Sequence, residues 1–323
     1  MDNNLYPLKF EPILKEKIWG GNKLKEILDK PTISRRTGES WEISGVEGDI
    51  SVVKNGPLKG KSLSDIIKQY QGRLLGKRVY QNFGEKFPLL IKFIDARENL
   101  SVQLHPNDKI AAKLHNSFGK TEMWYVVQAD KNSNLIVGFK EGVDKSTYLK
   151  HLQDKNLSEI LNFEKVEAGD SYFIEVGRVH AIGSGILLAE IQQTSDITYR
   201  IYDWDRVDDE GNSRELHTDL ALQAINFEMR DDFRRDYNDI PNKSSNMVQC
   251  NYFTTNFVHV TKKYNISNGI DSFRIYMNVE GEAKLHWNDG ETNLNFGETI
   301  LVPATLDSCY FTSESAKLLE VYI

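Results

Sequence analysis

The stretch 101-SVQLHPNDKIAAKLHNSFGKTEMWYVV-127 contains two candidate strands separated by a candidate helix. Residues 100–104 alternate apolar and polar side chains, which is typical of a strand with one buried face. Pro106 ends that strand, and Asn107 is a capping residue at the start of helical spacing over 107–116. Apolar and aromatic residues return at 123–129. The stretch therefore predicts a β-protein with a short helix inserted between two strands.

Short segments rich in β-branched and aromatic residues recur along the chain and are separated by Gly, Asn or Asp. The other strands predicted in the first two thirds of the chain are 41–44, 50–54, 89–96, 134–139, 171–176, 186–193 and 197–204. Helical spacing is confined to inserts at 62–70, 107–116, 144–163 and 215–227. Many short strands with few helices favour a mainly β fold, a sandwich or barrel, over a parallel sheet covered by helices.

A polar, charged segment at 228–247 has no sustained periodicity, and we expect it to contribute little to any core. It predicts a boundary between a first domain with helical inserts, 1–235, and a β-domain, 236–323. The strands predicted beyond the segment are 252–261, 273–281, 283–287, 298–304 and 317–323.

A faint internal repeat links the two predicted domains. Residues 169–182 and 297–310 share a glycine, an acidic residue, an apolar strand and a turn, as expected when one β-unit occurs twice. His180 follows the turn in the first copy, where the second copy has Ser308. The pattern favours two jelly-roll-like halves with polar chemistry kept in the first.

The charge balance limits the classes of partner. The 40 Lys and Arg residues against 47 Asp and Glu residues give a net charge of -7, without a long block of one sign. This balance argues against nucleic-acid binding, which needs a basic surface, but it allows a few converging cations to bind an anionic small molecule. No apolar run approaches the roughly 18 residues of a membrane span, and the start of the chain has no basic flank before an apolar run. We expect a soluble, cytoplasmic protein.

Four polar residues are candidate metal ligands. The alternation of a strand places Gln103 and His105 on one face, while Glu122 begins a later strand and His180 follows a turn. Imidazole, carboxylate and amide oxygen are ligands of zinc and other first-row metals. Spacing alone leaves two interpretations open: a metal site inside a barrel, or polar residues that line an ordinary barrel mouth.

Four motifs in order resemble the type I mannose-6-phosphate isomerases of the short bacterial form, which are cupins. The motifs are 100-LSVQLHP-106, 119-GKTEMWYV-126, Gly169-x5-Glu175-x-Gly177-x2-His180 and 189-AEIQQTSDITYR-200. The resemblance extends over nearly the whole chain, from Trp19 in 18-IWGG-21 to the second copy of the repeat. It implies a catalytic cupin (jelly-roll β-barrel) domain with helical inserts and a degenerate, cupin-like C-terminal β-domain. It also implies a zinc enzyme that interconverts mannose 6-phosphate and fructose 6-phosphate.

The family pattern assigns roles to twelve residues of this chain. The implied ligands of one zinc ion per chain are Gln103, His105, Glu122 and His180. The implied catalytic residues are Lys120, Glu190, Asp196 and Arg200, and the implied substrate-binding residues are Trp19, Glu39, Lys92 and Ser101. Isomerisation moves a proton between C2 and C1 through an enediol, and the sequence leaves open whether Glu190, Asp196, Lys120 or a metal-bound water is the base.

Strand geometry adds expectations to these assignments. Lys120 is expected on the strand face of Glu122, Asp196 on the strand face of Arg200, and Ser101 close enough to contact substrate phosphate. The helix at 107–116 is expected to form a wall of the site.

The chain departs from the family pattern at Thr121 and Glu175, where proline is frequent, and we expect altered turns there rather than lost chemistry.

Simpler interpretations stay open for single residues. Glu190 and Asp196 can be solvated carboxylates on a strand face, Arg200 can pair with Asp203 or Asp205 at the surface, and Trp19 can be core packing.

The function itself has alternatives. One is a metal-binding cupin that senses a sugar phosphate without converting it, and another is an isomerase of a different aldose. No obligate protein partner, nucleic acid or membrane is expected in any of these cases.

Overall fold

A computed structural model describes residues 5–207, 210–267 and 269–323 of the chain. Within these ranges the strands form four sheets, and every pairing between strands is antiparallel. The prediction of a mainly β fold is confirmed.

The first pair of sheets is built from the N-terminal eleven strands of the described chain. Their bounds are β1 (Ile13–Gly21), β2 (Thr37–Ile43), β3 (Leu89–Ala96), β4 (Val102–Leu104), β5 (Glu122–Ala129), β6 (Asn134–Phe139), β7 (Leu161–Lys165), β8 (Ser171–Ile174), β9 (His180–Ile182), β10 (Ile186–Gln193) and β11 (Tyr199–Tyr202). They form a six-stranded sheet, β1-β2-β3-β10-β5-β8, and a five-stranded sheet, β11-β4-β9-β6-β7. Ile94 and Leu188 of the first sheet share a buried apolar cluster with Val137 and Ile182 of the second, so the two sheets face each other as in a jelly roll.

The second pair of sheets repeats this arrangement with fewer strands. Their bounds are β12 (Ser244–Gln249), β13 (Thr254–Val260), β14 (Lys263–Asn265), β15 (Arg274–Gly281), β16 (Ala283–Trp287), β17 (Gly290–Leu294), β18 (Thr299–Val302), β19 (Tyr310–Thr312) and β20 (Ala316–Tyr322). The sheet orders are β12-β13-β20-β15-β18 and β14-β19-β16-β17. Val258 and Leu318 of one sheet pack with Leu285 and Phe311 of the other.

The internal repeat predicted from the sequence is visible in both halves. In the first half the chain passes from β8, at the edge of one sheet, to β9 in the facing sheet, and in the second half it passes from β18 to β19 in the same way. Gly169 and Gly297, which precede these strands, have φ angles of 95° and 81°. Glycine suits both positions because other residues rarely adopt this left-handed backbone.

The helices are short and mostly connect strands. Their bounds are α1 (Lys23–Glu26), α2 (Leu63–Tyr70), α3 (Gly72–Leu75), α4 (Lys77–Phe83), α5 (Asp108–His115), α6 (Lys145–Gln153) and α7 (Thr218–Ala224), with a 3₁₀ turn at Leu157–Ile160. The side chain of Asn107 caps α5 by accepting a hydrogen bond from the backbone N–H of Ile110. The helix between β4 and β5 is therefore where the opening stretch predicts it.

Three expectations about elements were wrong. The helix predicted over 144–163 ends at Gln153, because Lys155 turns the chain with a φ of 56°, and residues 161–165 form β7 beside β6. Residues 50–54 form isolated bridges at Val52 and Val53 instead of a strand of a sheet. The segment 228–247 contains the start of β12, and its Phe233 is buried in the core of the first sheet pair.

One large apolar core joins the two sheet pairs and the helices between them. Ile91 and Tyr125 of the first pair share it with Phe257 and Met277 of the second, and the buried residues of α2 complete it. The two sheet pairs lie on either side of the predicted boundary at 235/236, which stays a prediction because this core spans it. Among the described residues, no helix is long and apolar enough to cross a membrane.

Candidate metal centre and active site

Two histidines and a glutamate converge between the sheets of the first pair. His105 follows β4, Glu122 is the first residue of β5, and His180 is the first residue of β9. The Nε2 of His105 lies 3.2 Å from Glu122 Oε1, and the Nε2 of His180 lies 3.8 Å from Glu122 Oε2. One ligand atom from each residue lies within 4.8 Å of the others, and each residue is about 1% exposed. The strands thus bring together residues that are 75 positions apart along the chain.

Backbone carbonyls fix the orientation of both imidazole rings. The Nδ1 of His105 is 2.8 Å from the carbonyl of Ile197, and the Nδ1 of His180 is 2.8 Å from the carbonyl of Arg178. A carbonyl only accepts hydrogen bonds, so each Nδ1 carries the hydrogen and each Nε2 presents a lone pair to Glu122. Ligating histidines are commonly held by such a hydrogen bond on the other ring nitrogen.

The protonation states favour a bound cation. Burial and the charge of Lys120 lower the pKa of His105 to about 3, and burial also lowers the pKa of His180. Burial would raise the pKa of Glu122, but the charge of Lys120, whose Nζ lies 3.3 Å from Oε1, helps to hold it well below the ordinary value. The cluster therefore presents two neutral imidazoles and an ionised carboxylate.

Two buried acceptor atoms of this cluster have no hydrogen-bond donor, which bears on whether the cluster can hold a metal ion. His105 Nε2 and Glu122 Oε2 are buried without a hydrogen-bond partner. Lone pairs that face one another repel, and a divalent cation between them would remove that repulsion. The residues present therefore fit a metal ion with nitrogen and oxygen ligands.

Gln103, the fourth predicted ligand, adjoins this cluster with its amide nitrogen. Its Nε2 lies 3.5 Å from His180 Nε2, while its Oε1 lies 3.4 Å from Ser101 Oγ. Rotating the amide by half a turn exchanges the two atoms at nearly the same volume. That rotation would place an oxygen beside the cluster.

A cavity of about 350 Å³ opens above the cluster. All eight residues predicted to be catalytic or substrate-binding line it: Trp19, Glu39, Lys92, Ser101, Lys120, Glu190, Asp196 and Arg200. Of the predicted ligands, Gln103, Glu122 and His180 also line it, whereas His105 lies beneath the surface of the cavity. Among the described lining residues none comes from 107–116, so the expectation that α5 forms a wall of the site was wrong.

A buried lysine lies between two buried glutamates on neighbouring strands of the cavity wall. Lys92 on β3 is paired with Glu190 on β10, with Nζ 2.9 Å from Oε1, and the charge of Lys92 also acts on Glu39 of β2. Burial and the charges of both glutamates act on Lys92, and the net effect raises its pKa. Lys92 therefore stays protonated inside the wall.

The two glutamates differ in acidity. Burial and the negative charge of Glu122 raise the pKa of Glu190 to about 7, although Lys92 opposes them. Burial would also raise the pKa of Glu39, but the charges of Lys92 and Lys17, together with a hydrogen bond from a nearby indole, lower it to about 2. Like residues in one cavity thus prefer opposite protonation states near pH 6.

Comparison with known proteins identifies the family. A family model described as phosphomannose isomerase type I, catalytic domain, matches residues 7–135, and one described as mannose-6-phosphate isomerase, cupin domain, matches residues 243–323. Mannose-6-phosphate isomerase ManA of Bacillus subtilis is 35% identical over 307 residues, which cover 92% of this chain and 93% of that protein. The chain belongs to the type I mannose-6-phosphate isomerase family. The probable mannose-6-phosphate isomerase GmuF of the same organism is 39% identical over 222 residues, 68% of each chain.

The fold agrees with that of a solved member of the family. The crystal structure of the mannose 6-phosphate isomerase from Bacillus subtilis superposes with a TM-score of 0.90 at 30% identity, and the match covers 99% of this chain and 100% of that one. The predictions of a cupin fold and of membership in the type I isomerase family are therefore confirmed.

The two departures from the proline pattern of the type I isomerase family have structural roles. The backbone N–H of Thr121 donates a hydrogen bond to Gln193 Oε1 at 2.9 Å. A proline at this position could not make this bond because it has no backbone N–H. Glu175 accepts a hydrogen bond from Arg230 at 2.7 Å in the turn before β9. Both contacts hold segments that lead directly into a strand carrying a cluster residue.

Lys120 and Asp196 line the cavity, but they lie outside the strands on whose faces we expected them, so those two expectations were wrong. Lys120 precedes β5, which begins at Glu122, yet its Nζ lies 3.3 Å from Glu122 Oε1. Asp196 precedes β11 and is exposed, so only Arg200 is placed by the strand. The segments before these two strands bring both side chains to the cavity.

Arg200 is half-buried and contacts residues around the cavity. Its Cα pairs with that of Gln103 across β11 and β4, its Nε donates to Ser101 Oγ at 3.3 Å, and its Nη1 donates to the carbonyl of Glu215 at 2.8 Å. The alternative in which Arg200 pairs with Asp203 or Asp205 was wrong: among the described residues neither forms an ion pair with Arg200. The oxygens of Asp203 accept hydrogen bonds from Arg206 and Arg214 instead, and Asp205 accepts one from Tyr202.

Sequence reasoning missed several polar and aromatic residues of the cavity. They are Lys17, Trp41, Trp124, Ser195, Thr198 and Arg214. The alternation of strands could have found two of them, because Trp41 lies two residues after Glu39 and Trp124 two after Glu122. Both indoles donate hydrogen bonds to cavity carboxylates, Trp41 to Glu39 at 2.7 Å and Trp124 to Glu190 at 2.9 Å.

Proposed function

We propose that this chain is a zinc-dependent aldose–ketose isomerase, acting in the cytoplasm, that interconverts mannose 6-phosphate and fructose 6-phosphate. The observation that carries the proposal is the buried cluster of His105, Glu122 and His180 beneath a cavity lined by five cationic side chains. The names of the relatives support the substrate, since ManA of Bacillus subtilis is described as a mannose-6-phosphate isomerase.

One zinc ion per chain would be held by the cluster and by Gln103 after rotation of its amide. When bound, zinc supplies a Lewis acid beside the sugar oxygens, an effect worth several kcal/mol on developing negative charge. The neutral imidazoles and the ionised carboxylate are already in the states that bind a metal, so binding requires no proton release from them.

Glu190 is the group that we assign to proton transfer between C2 and C1. Its carboxylate lines the cavity, and burial raises its pKa above the ordinary value, so that it can take a proton from one carbon and return it to the other. Glu39 lines the same cavity, but with a pKa of about 2 it is a weak base. Asp196 is exposed to water, which makes its carboxylate a hydrogen-bond partner for sugar hydroxyls in this assignment.

The other cavity residues bind and orient the sugar. The buried ammonium of Lys120 donates hydrogen bonds to substrate oxygens close to the cluster, and Lys92 keeps Glu190 in place. Trp19 is 4% exposed and gives the cavity an apolar wall for the carbon chain. Ser101 and Arg200 provide donors on the opposite side of Gln103 from His180, which suits the phosphate end of the substrate.

The test is an assay of mannose 6-phosphate conversion by the purified chain, repeated after chelation and again after zinc is restored. The proposal expects activity that is lost with chelator, recovered with zinc and absent in His105→Ala. The assignment of the base is tested by Glu190→Gln, for which we expect a loss in kcat of about 10²–10⁴. A smaller loss is expected for the matched variant Glu39→Gln, and full turnover in Glu190→Gln would refute the assignment.

Two other functions are outcomes of the same assay. Stoichiometric zinc without turnover of any aldose phosphate indicates a cupin that senses a sugar phosphate. Turnover of another aldose phosphate at a higher kcat/KM than mannose 6-phosphate indicates an isomerase with a different substrate.

A further inference from the structure

Three arginines surround one buried carboxylate next to the cavity. Asp203 is 6% exposed, and its oxygens accept hydrogen bonds from Arg206 and Arg214. The charges of both arginines, and of Asp203, also act on Arg200. Three positive charges are thus grouped around Asp203, and the charge of a second carboxylate, Glu215, also acts on Arg200.

Only two of these guanidinium groups belong to the wall of the cavity. Arg200 and Arg214 are lining residues, whereas Arg206 is directed to the backbone carbonyl of Asn99 at 2.6 Å and is absent from the described lining. The pairing of Arg214 with Asp203 uses its Nε and Nη2, and Nη1 takes no part in it.

A chain of contacts leads from the metal cluster to Arg214. Gln103 lies beside His180, Ser101 lies beside Gln103, and Arg200 lies beside Ser101. Arg200 then donates to the carbonyl of Glu215, the residue that follows Arg214. Gln103 and Ser101 thus lie between the cluster at one end of this chain of contacts and the two arginines at the other.

The electrostatics at this end favour an anion. Burial lowers the pKa of the Arg200 guanidinium, and the charge of Arg214 lowers it further because like charges repel. Asp203 and Glu215 offset two of the three positive charges, which leaves an excess of one positive charge among these five groups. A dianion placed between two forked guanidinium groups would neutralise that excess with charge-assisted hydrogen bonds.

We propose that Arg214 is a specificity-determining residue that, with Arg200, binds the phosphate group of the substrate and selects phosphorylated over free sugars. This inference rests on the proposed isomerase function for its substrate. In a hexose 6-phosphate the phosphate is at the opposite end of the carbon chain from C1 and C2, the carbons that react. Asp203 orients Arg214 by accepting two hydrogen bonds from its guanidinium group.

The test compares Arg214→Ala with Arg214→Lys and with the control Arg234→Ala. Arg234 is likewise paired with a buried carboxylate, Asp170, but it does not line this cavity. We expect Arg214→Ala to raise KM for mannose 6-phosphate by about tenfold or more, with kcat changed much less, because charge-assisted hydrogen bonds are lost. Activity on free mannose is expected to stay as in the parent, Arg214→Lys is expected to fall between parent and Ala, and Arg234→Ala is expected to match the parent.

A second measurement separates this inference from the proposed function. Calorimetry with inorganic phosphate as the probe requires no turnover, and we expect weaker binding to Arg214→Ala than to the parent or to Arg234→Ala. Equal phosphate affinity in all three proteins would overturn the inference whether or not the chain is an isomerase. Equal losses on mannose and on mannose 6-phosphate would also overturn it, since that pattern indicates a structural role. A parent that binds phosphate through Arg214 but turns over no mannose 6-phosphate would contradict the proposed function alone.

Discussion

Two chemically identical substitutions in the cavity wall are expected to change stability in opposite directions. Glu190→Gln and Glu39→Gln each replace a buried carboxylate by a neutral group of the same shape, and both sites are at most 8% exposed. The parent carboxylates have pKa values of about 7 and about 2, against an ordinary value of 4.5. The sign of each effect follows from the direction of its pKa change.

The magnitude comes from these values. For Glu190 the raised pKa means that ionisation disfavours the folded state, and the penalty grows from pH 4.5 to pH 7 and then stays at about 3 kcal/mol. For Glu39 the lowered pKa means that ionisation stabilises the folded state by about 3 kcal/mol, fully present above pH 4.5 and lost as the pH falls towards 2. Glu190→Gln is thus expected to become more stable than the parent as the pH rises from 5 to 8, by up to about 3 kcal/mol, while Glu39→Gln is less stable by a constant amount.

The assay is urea unfolding of the parent and both variants at pH 5, 6, 7 and 8 in the presence of a chelator, so that the charges are those of the protein alone. Both variants replace a carboxylate that accepts a hydrogen bond from an indole, so changes in hydrogen bonding affect both in the same way. The pH-dependent part of the difference in unfolding free energy between variant and parent therefore reports the charge of the replaced carboxylate. A Glu190→Gln protein whose stability relative to the parent is the same at pH 5 and pH 8 would refute the electrostatic reasoning, and so would a variant less stable than the parent at pH 8.

Further predictions concern the turn before β9 and the second half of the chain. Gly177 has a φ of 80°, and a Cβ there would lie 2.5 Å from the carbonyl of Ala224, so Gly177→Ala is expected to lower both the urea midpoint and zinc content. Gly142→Ala is the control, with a φ of 79° and nothing within 4 Å of the added Cβ; an equal effect in both would contradict the steric cause. Tyr276→Phe removes a 2.7 Å hydrogen bond to buried Glu320 and is expected to cost about 1.5–3 kcal/mol of unfolding free energy with KM unchanged. Unfolding that matches the parent would show that this hydroxyl contributes nothing.

Elements with a strong local pattern could be predicted from the sequence. The apolar segments 89–96, 134–139 and 186–193 have the bounds of β3, β6 and β10, because their residues are buried and flanked by turn signals. The segment 13-ILKEKIWGG-21 forms β1 but was missed, since its charged residues give it no clear apolar face. Segment 161–165 forms β7, although the start of it was predicted as the end of a helix. Its residues continue the helical spacing, but the backbone leaves the helix at a left-handed turn at Lys155 that the spacing does not reveal.

The site could be predicted only in part, because it depends on contacts between segments that are far apart along the chain. Strand alternation grouped Gln103 with His105, but no spacing shows that His180 meets them, and that expectation came from the resemblance. The position of Arg214 depends on how the segment after β11 folds back against Arg200, a tertiary contact with no local signal in the sequence. The opposite acidities of Glu39 and Glu190 likewise depend on neighbours from other strands.

The proposed isomerase depends on a metal ion held by the His105–Glu122–His180 cluster. The most direct measurement is a zinc titration of the chelated protein, with mannose 6-phosphate turnover recorded after each addition and His180→Ala as the control. We predict no activity before zinc is added, a rise that reaches a plateau at one zinc ion per chain, and no rise in His180→Ala. Full turnover in the chelated parent, or the same zinc-dependent rise in His180→Ala, would show that this cluster does not hold a metal ion needed for isomerisation.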